Sequence, residues 1–250
     1  MKSWMKPVVT AARLGACLLL AVAAFGASGC RTKSFLSTQQ EIQLGQEGAR
    51  QVDQEYRVQT DTPEARRVQR IGSRLLPHMA DRRDVPYSFK VVENKDVNAF
   101  SLPGGPVYVH TGLLNLLGDD DSALAGVVGH ELGHINARHA ARQISSQMAT
   151  NTLLSLAIND PTSRNLAGLG AQLVSLKYSR DDEYAADSRG LSYAYAAGYD
   201  PNGLVRFFQK LQKQEGSGRT PEWLSTHPLT GGRIERAETI IAQHDFRYGQ

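Results

Sequence analysis

A chain of 250 residues, 41% of them hydrophobic, suits one domain or one and a half with ample material for a buried core. Its formal net charge of +3 misleads: Lys2, Lys6 and Arg13 lie in an acid-free N-terminus, and the remaining 25 Lys and Arg equal the 25 Asp and Glu. With no basic stripe left over, no nucleic-acid partner is expected.

Residues 1–29 read as a secretion signal, with Lys2 and Lys6 as the positive start and LGACLLLAVAAFGASG as the apolar run. A membrane-spanning helix is the competing reading of that run. Its end favours the signal: ASGC places small residues directly before Cys30, which resembles the lipobox of bacterial lipoproteins. The resemblance implies cleavage before Cys30, lipidation of Cys30 and attachment to a membrane through the lipid. Arg31, rather than Asp, implies sorting to the outer membrane, facing the periplasm. Cys17 lies in the removed segment and Cys30 would be acylated, so no disulfide or thiolate metal site is expected. The expected organisation is a signal peptide over 1–29, a tether over 30–36, one domain over 37–245 and a tail over 246–250.

Along the domain, Thr38 and Glu41 have capping-box spacing and predict a helix to about Tyr56. DTPEARRVQRIGSRLL predicts a second helix, with Pro63 in its first turn and Val68, Ile71, Leu75 and Leu76 on one stripe. Strand-like runs follow over 87–92, 98–102 and 107–111, the last two joined by the turn signal PGGP. From Leu113 the pattern is helical almost to the end. One long helix is predicted through DDDSALAGVVGHELGHINARHAARQ, then helices over 163–176, 181–197 and 201–214, a loop at QEGSGRTPE and a last helix in TGGRIERAETIIAQH. The fold class is α+β, mainly helical, with a small antiparallel sheet or hairpin ahead of the mid-chain helix.

That mid-chain helix carries His130, Glu131 and His134 as H-E-x-x-H. Residues four apart share a helix face, so both imidazoles can reach one metal ion, with Glu131 on an adjacent edge. Zinc accepts imidazole and carboxylate ligands and keeps a position open in catalytic sites. The bland alternative is a surface helix, but Val127, Val128, Leu132 and Ile135 surround the motif, and buried imidazoles need partners. A third ligand should come from another helix, where Glu183 and Asp187 lie four apart. His139, one turn and one residue past His134, is expected to face away, and His78, His110 and His244 to lie in loops or at edges.

HELGH followed downstream by SRDDEYAAD resembles the HtpX-like gluzincin metallopeptidases, the family that includes the CAAX prenyl proteases. The resemblance implies a zincin fold holding one Zn2+ per chain through His130, His134 and Glu183, with Asp187 bracing the ligands and Glu131 as general base. It makes Asn98, Ala99 and Phe100 candidates for a strand that pairs with substrate backbone, although sheet core is the better reading of Phe100. STHPLTGGRI resembles the family's T-H-P segment; His227 is a candidate fourth ligand, oxyanion stabiliser or plain turn residue, with Arg233 supporting it. The expected function is a zinc endopeptidase of the bacterial envelope acting on misfolded or damaged proteins. The alternative is an assembly factor or chaperone for outer-membrane proteins whose proteolysis is latent or incidental.

Overall fold

The computed structural model describes residues 34–244 except 80, 82–83, 159–172 and 230. The expected signal peptide, Cys30, most of the tether, the tail and most of the helix over 163–176 lie outside the described residues. The first helix, α1 (Thr38–Glu55), starts with a capping box one residue earlier than expected. Ser37 accepts from the Gln40 amide, and the Gln40 side chain accepts from the Ser37 amide. Glu41 is not free for capping, because it is buried and paired with Arg138.

Helix α2 (Pro63–Leu75) has Pro63 in its first turn, as its sequence predicts, and is capped by Thr62, whose side chain accepts from the Ala65 amide. Its apolar stripe of Ala65, Val68, Ile71 and Leu75 is buried, each large side chain contributing roughly 1.5–3 kcal/mol of transfer free energy. The stripe packs on a four-stranded sheet made of β1 (Val58–Gln59), β2 (Ser88–Val92), β3 (Ala99–Ser101) and β4 (Pro106–His110). The strand order is β1-β2-β4-β3, with β2 and β4 parallel and the other pairs antiparallel, so the sheet is mixed rather than purely antiparallel. The cause is the hairpin: Gly104 and Gly105, at φ 75° and 126°, turn the chain back so that β4 runs between β2 and β3. β3 is thereby left at an edge. Both faces of the sheet are covered: Ala99, Val107 and Val109 join one apolar cluster, and Phe100, Leu102 and Tyr108 join the other. Phe100 stacks on Tyr108 at 5.1 Å, which makes it core. His110 is not at an exposed edge but buried at the end of β4, edge-on to Phe100.

After α3 (Thr111–Leu117), the expected long helix is two: α4 (Asp121–Asn136) and α5 (His139–Ile158). The break falls at Arg138, a non-glycine residue at φ 58°. Its guanidinium bonds to the Glu41 carboxylate and the Leu36 carbonyl, contacts that fix the left-handed turn from outside the helix. Helices α6 (Arg180–Ala196), α7 (Asn202–Gly216), the short α8 (Trp223–Thr226) and α9 (Arg233–Gln243) follow. None of the described helices is long and apolar enough to cross a membrane.

Helix α4 lies at the centre, buried from Ala123 through Ile135. It approaches α6 at backbone distance because the crossing is lined by glycines. A Cβ at Gly133 would stand 2.8 Å from the Ala186 carbonyl oxygen, and one at Gly190 would stand 2.7 Å from the His130 amide nitrogen. This close crossing sets the histidines of α4 against the acids of α6.

Candidate metal centre

His130 and His134, one turn apart on α4, bring their Nε2 atoms to 3.0 Å. Glu183 comes from the first turn of α6, where Ser179 caps the helix by accepting from the Asp182 amide. Its Oε1 is 3.3 Å from His134 Nε2, and its Oε2 is 3.6 Å from His130 Nε2. His227 follows α8 directly and completes the group, with Nδ1 3.0 Å from Glu183 Oε1 and 3.3 Å from His130 Nε2. The T-H-P segment is pinned there by three backbone bonds: Trp223 amide to Val97 carbonyl, Tyr178 amide to Thr226 carbonyl, and His227 amide to Trp223 carbonyl. Trp223 stacks on the His227 ring at 4.7 Å and 19°. All four residues are buried, and their ligand atoms lie within 4.8 Å of one another.

The set is braced from behind. Asp187 Oδ1 is 2.8 Å from His130 Nδ1, and the Arg233 guanidinium donates to both Asp187 oxygens at 2.7 and 2.8 Å. Arg233 Nη1 also lies 2.6 Å from Glu183 Oε2. Arg233 is fully buried, so it holds the two acids of α6 rather than reaching toward a substrate. Glu131 sits beside the cluster: Oε2 accepts from the Ser101 hydroxyl at 2.9 Å, and Oε1, 3.6 Å from His227 Nε2, accepts no hydrogen bond among the described residues.

Burial opposes charge on Glu183 and Asp187, yet both acids stay ionised. Burial alone would raise the Glu183 carboxyl, but His227, His134 and His130 hold it well below the ordinary carboxylate range. Asp187, likewise opposed by burial, is lowered by Arg233 and His130. Burial drives the His134 pKa far down, leaving a neutral imidazole. The neutral His134 ring and the ionised Glu183 carboxylate, with nitrogens of His130 and His227 at the same point, form an N/O donor set of the kind a divalent cation takes. With the Nδ1 proton of His130 assigned to Asp187, the His130 Nε2 lone pair faces inward, as ligation requires. The residues present therefore fit a metal ion.

The candidates named from sequence, His130, Glu131, His134, Glu183, Asp187, His227 and Arg233, are all brought together. Asn98, Ala99 and Phe100 lie on or beside edge strand β3, with Asn98 buried and its Oδ1 unpartnered among the described residues. His139 does not face away: the break at Arg138 returns it to the site, with Nδ1 2.8 Å from His134 Nδ1. Ser101 and Tyr178, whose ring lies 3.9 Å from that of His134, were not legible as site residues. The only signal for Ser101 was its alternation with Phe100 along a strand.

A histidine pair one turn apart, a carboxylate from a second helix and an adjacent glutamate define an H-E-x-x-H metallopeptidase site, set in a mainly helical fold behind a small sheet. The chain belongs to Peptidase family M48, which it matches over residues 62–241. It is 31% identical over 228 residues to the Beta-barrel assembly-enhancing protease of Escherichia coli, covering 86% of this chain and 46% of that protein. It is 30% identical over 156 residues to Metalloprotease LoiP of Escherichia coli, covering 60% of this chain and 61% of that one. With the mitochondrial Metalloendopeptidase OMA1 of Bos taurus it shares 34% identity over 179 residues, 64% of this chain and 33% of that protein. The chain thus spans about half the length of the assembly-enhancing relatives it matches.

Proposed function

We propose that this chain is a zinc-dependent endopeptidase of the bacterial envelope, attached by a lipid on Cys30 at the periplasmic face of the outer membrane. The observation that carries the activity is the convergence of His130, His134, Glu183 and His227 beside Glu131. His130, His134 and Glu183 hold the metal, with Asp187 and Arg233 bracing them. A zinc ion bound there supplies Lewis acidity toward a water and a peptide carbonyl. Glu131 takes a proton from the attacking water as its oxygen bonds to the carbonyl carbon, and passes that proton to the amine as the C–N bond breaks. The Ser101 hydroxyl holds one Glu131 oxygen and leaves the other for this exchange.

Edge strand β3 offers the substrate backbone a partner. Asn98 and Leu102 bond to β4 through the His110 amide and the Pro106 carbonyl, so the main-chain groups of Ala99 and Ser101 face the other way. Pairing of that kind binds polypeptides with little side-chain selectivity, which suits misfolded or damaged envelope proteins. The two motif segments read as the HtpX-like type and the N-terminus as its lipoprotein branch. A second reading, an assembly factor for outer-membrane proteins with latent proteolysis, is favoured by the similarity to the Beta-barrel assembly-enhancing protease.

The test is casein degradation by the full chain with and without a chelator. Cleavage that stops on chelation and returns with zinc is expected; cleavage indifferent to chelation contradicts the reading. His227→Ala separates latency from catalysis: higher basal cleavage makes His227 a ligand that substrate displaces, and collapse makes it a catalytic helper.

A further inference from the structure

We propose that His139 is a positioning residue of the metal centre, which accepts the Nδ1 proton of His134 and so presents the His134 Nε2 lone pair to the ion. The proposal rests on the metal reading above. His139 is buried, its ring set edge-on to that of His134 at 4.8 Å and 76°, with the two Nδ1 atoms 2.8 Å apart. Two imidazole nitrogens at that distance share one proton, so one donates and the other accepts. His134 Nε2 faces His130 and Glu183, where a lone pair is required for ligation, so the proton of His134 belongs on Nδ1.

That assignment fixes the tautomer of His139 in turn. Its Nδ1 accepts and its own proton sits on Nε2, which is near Asp182 Oδ1 at 3.3 Å but makes no hydrogen bond among the described residues. Asp182 is itself held by Arg142 at 2.7 Å and by the Ser179 hydroxyl at 2.7 Å. Each motif histidine therefore has its own support: Asp187 behind His130, and His139 behind His134. The geometry depends on the chain break. Five residues along an unbroken helix would carry His139 about 140° around the axis from His134, whereas Arg138 at φ 58° restarts the helix with His139 against it.

The experiment uses the full chain. It measures zinc affinity by competition with a chelating dye and records the visible spectrum after cobalt(II) loading, neither of which needs turnover. His139→Phe keeps a ring but removes the acceptor; zinc affinity should fall by about 10- to 100-fold, with an altered cobalt spectrum. His139→Asn places an amide oxygen near the former Nδ1 and should recover most of the affinity. Parent-like affinity and spectrum in His139→Phe, or equal losses in the Phe and Asn variants, would overturn the proposal. Should His139→Phe fail to fold by circular dichroism, His139→Leu, which also removes the acceptor, is measured in its place: weakened zinc binding that His139→Asn restores supports the proposal, and unchanged binding overturns it. A parent chain that takes up no zinc overturns the metal reading itself, and this proposal with it.

Discussion

Glu131 and Ser101 show how much one hydroxyl can matter in this site. Ser101 donates to a carboxylate that has no other hydrogen bond from a side chain among the described residues, so it governs where the base rests. Ser101→Ala is expected to lower kcat/KM roughly fivefold, the equivalent of about 1 kcal/mol, while zinc affinity stays at the parent value. Steady-state kinetics beside a zinc titration checks this; a matching loss of zinc affinity would mean that Ser101 shapes the metal site instead. Arg233 teaches a related point. A sequence reading that pairs it with His227 is correct about proximity, but complete burial gives it to Asp187 and Glu183.

Between elements, the crossing of α4 and α6 sets the precision of the site. Gly190→Ala would push a Cβ against the His130 amide nitrogen at 2.7 Å and the Gly129 carbonyl carbon at 2.9 Å, both backbone atoms that cannot swing aside. The expected cost is about 1–3 kcal/mol in urea unfolding of the metal-free chain, together with weaker zinc binding. A second joint ties α7 to the start of α4. Arg206 donates to both oxygens of Asp120, the N-cap of α4, at 2.8 and 3.0 Å, and to Asp200 at 2.5 Å. Its hydrogen bonds hold Asp120 below the ordinary 3.8; burial opposes the same effect at Asp200, which is lowered nonetheless. Groups depressed in the folded state add stability that is fully present above the unfolded value and lost as pH falls through the folded value. Arg206→Gln should therefore cost about 1 kcal/mol at pH 7, a difference that shrinks once the pH drops below about 4. A difference that holds constant from pH 7 to 3 would assign the loss to packing.

For the whole molecule, metal and fold should be linked. Zinc at a hundredfold excess over its Kd adds about 2.7 kcal/mol to the folded state, or several degrees in the unfolding midpoint. Chelation should remove that increment from the parent and from Glu131→Gln alike, and His134→Ala should show little of it; equal shifts in all three would place the metal elsewhere. The parts of the fold set by local chemistry were legible in the sequence: the first-turn proline of α2, the PGGP hairpin, the helices over 180–196 and 202–216, and the i, i+4 histidines of α4. What escaped depends on contacts distant in the chain. The break at Arg138 is held by Glu41, 97 residues away, and moves His139 from the far face into the site. The parallel pairing of β2 with β4 and the meeting of Ser101 with Glu131 arise only once the hairpin is folded onto α4. No local pattern announces them.

The central claim, that Glu131 is the base of a zinc peptidase built on His130, His134 and Glu183, is tested most directly by Glu131→Gln in the full chain. Zinc content by elemental analysis and casein cleavage are measured on the same sample. The account predicts one zinc per chain, as in the parent, with cleavage reduced by about 10²- to 10⁴-fold. A variant that holds zinc and cleaves as fast as the parent would contradict it.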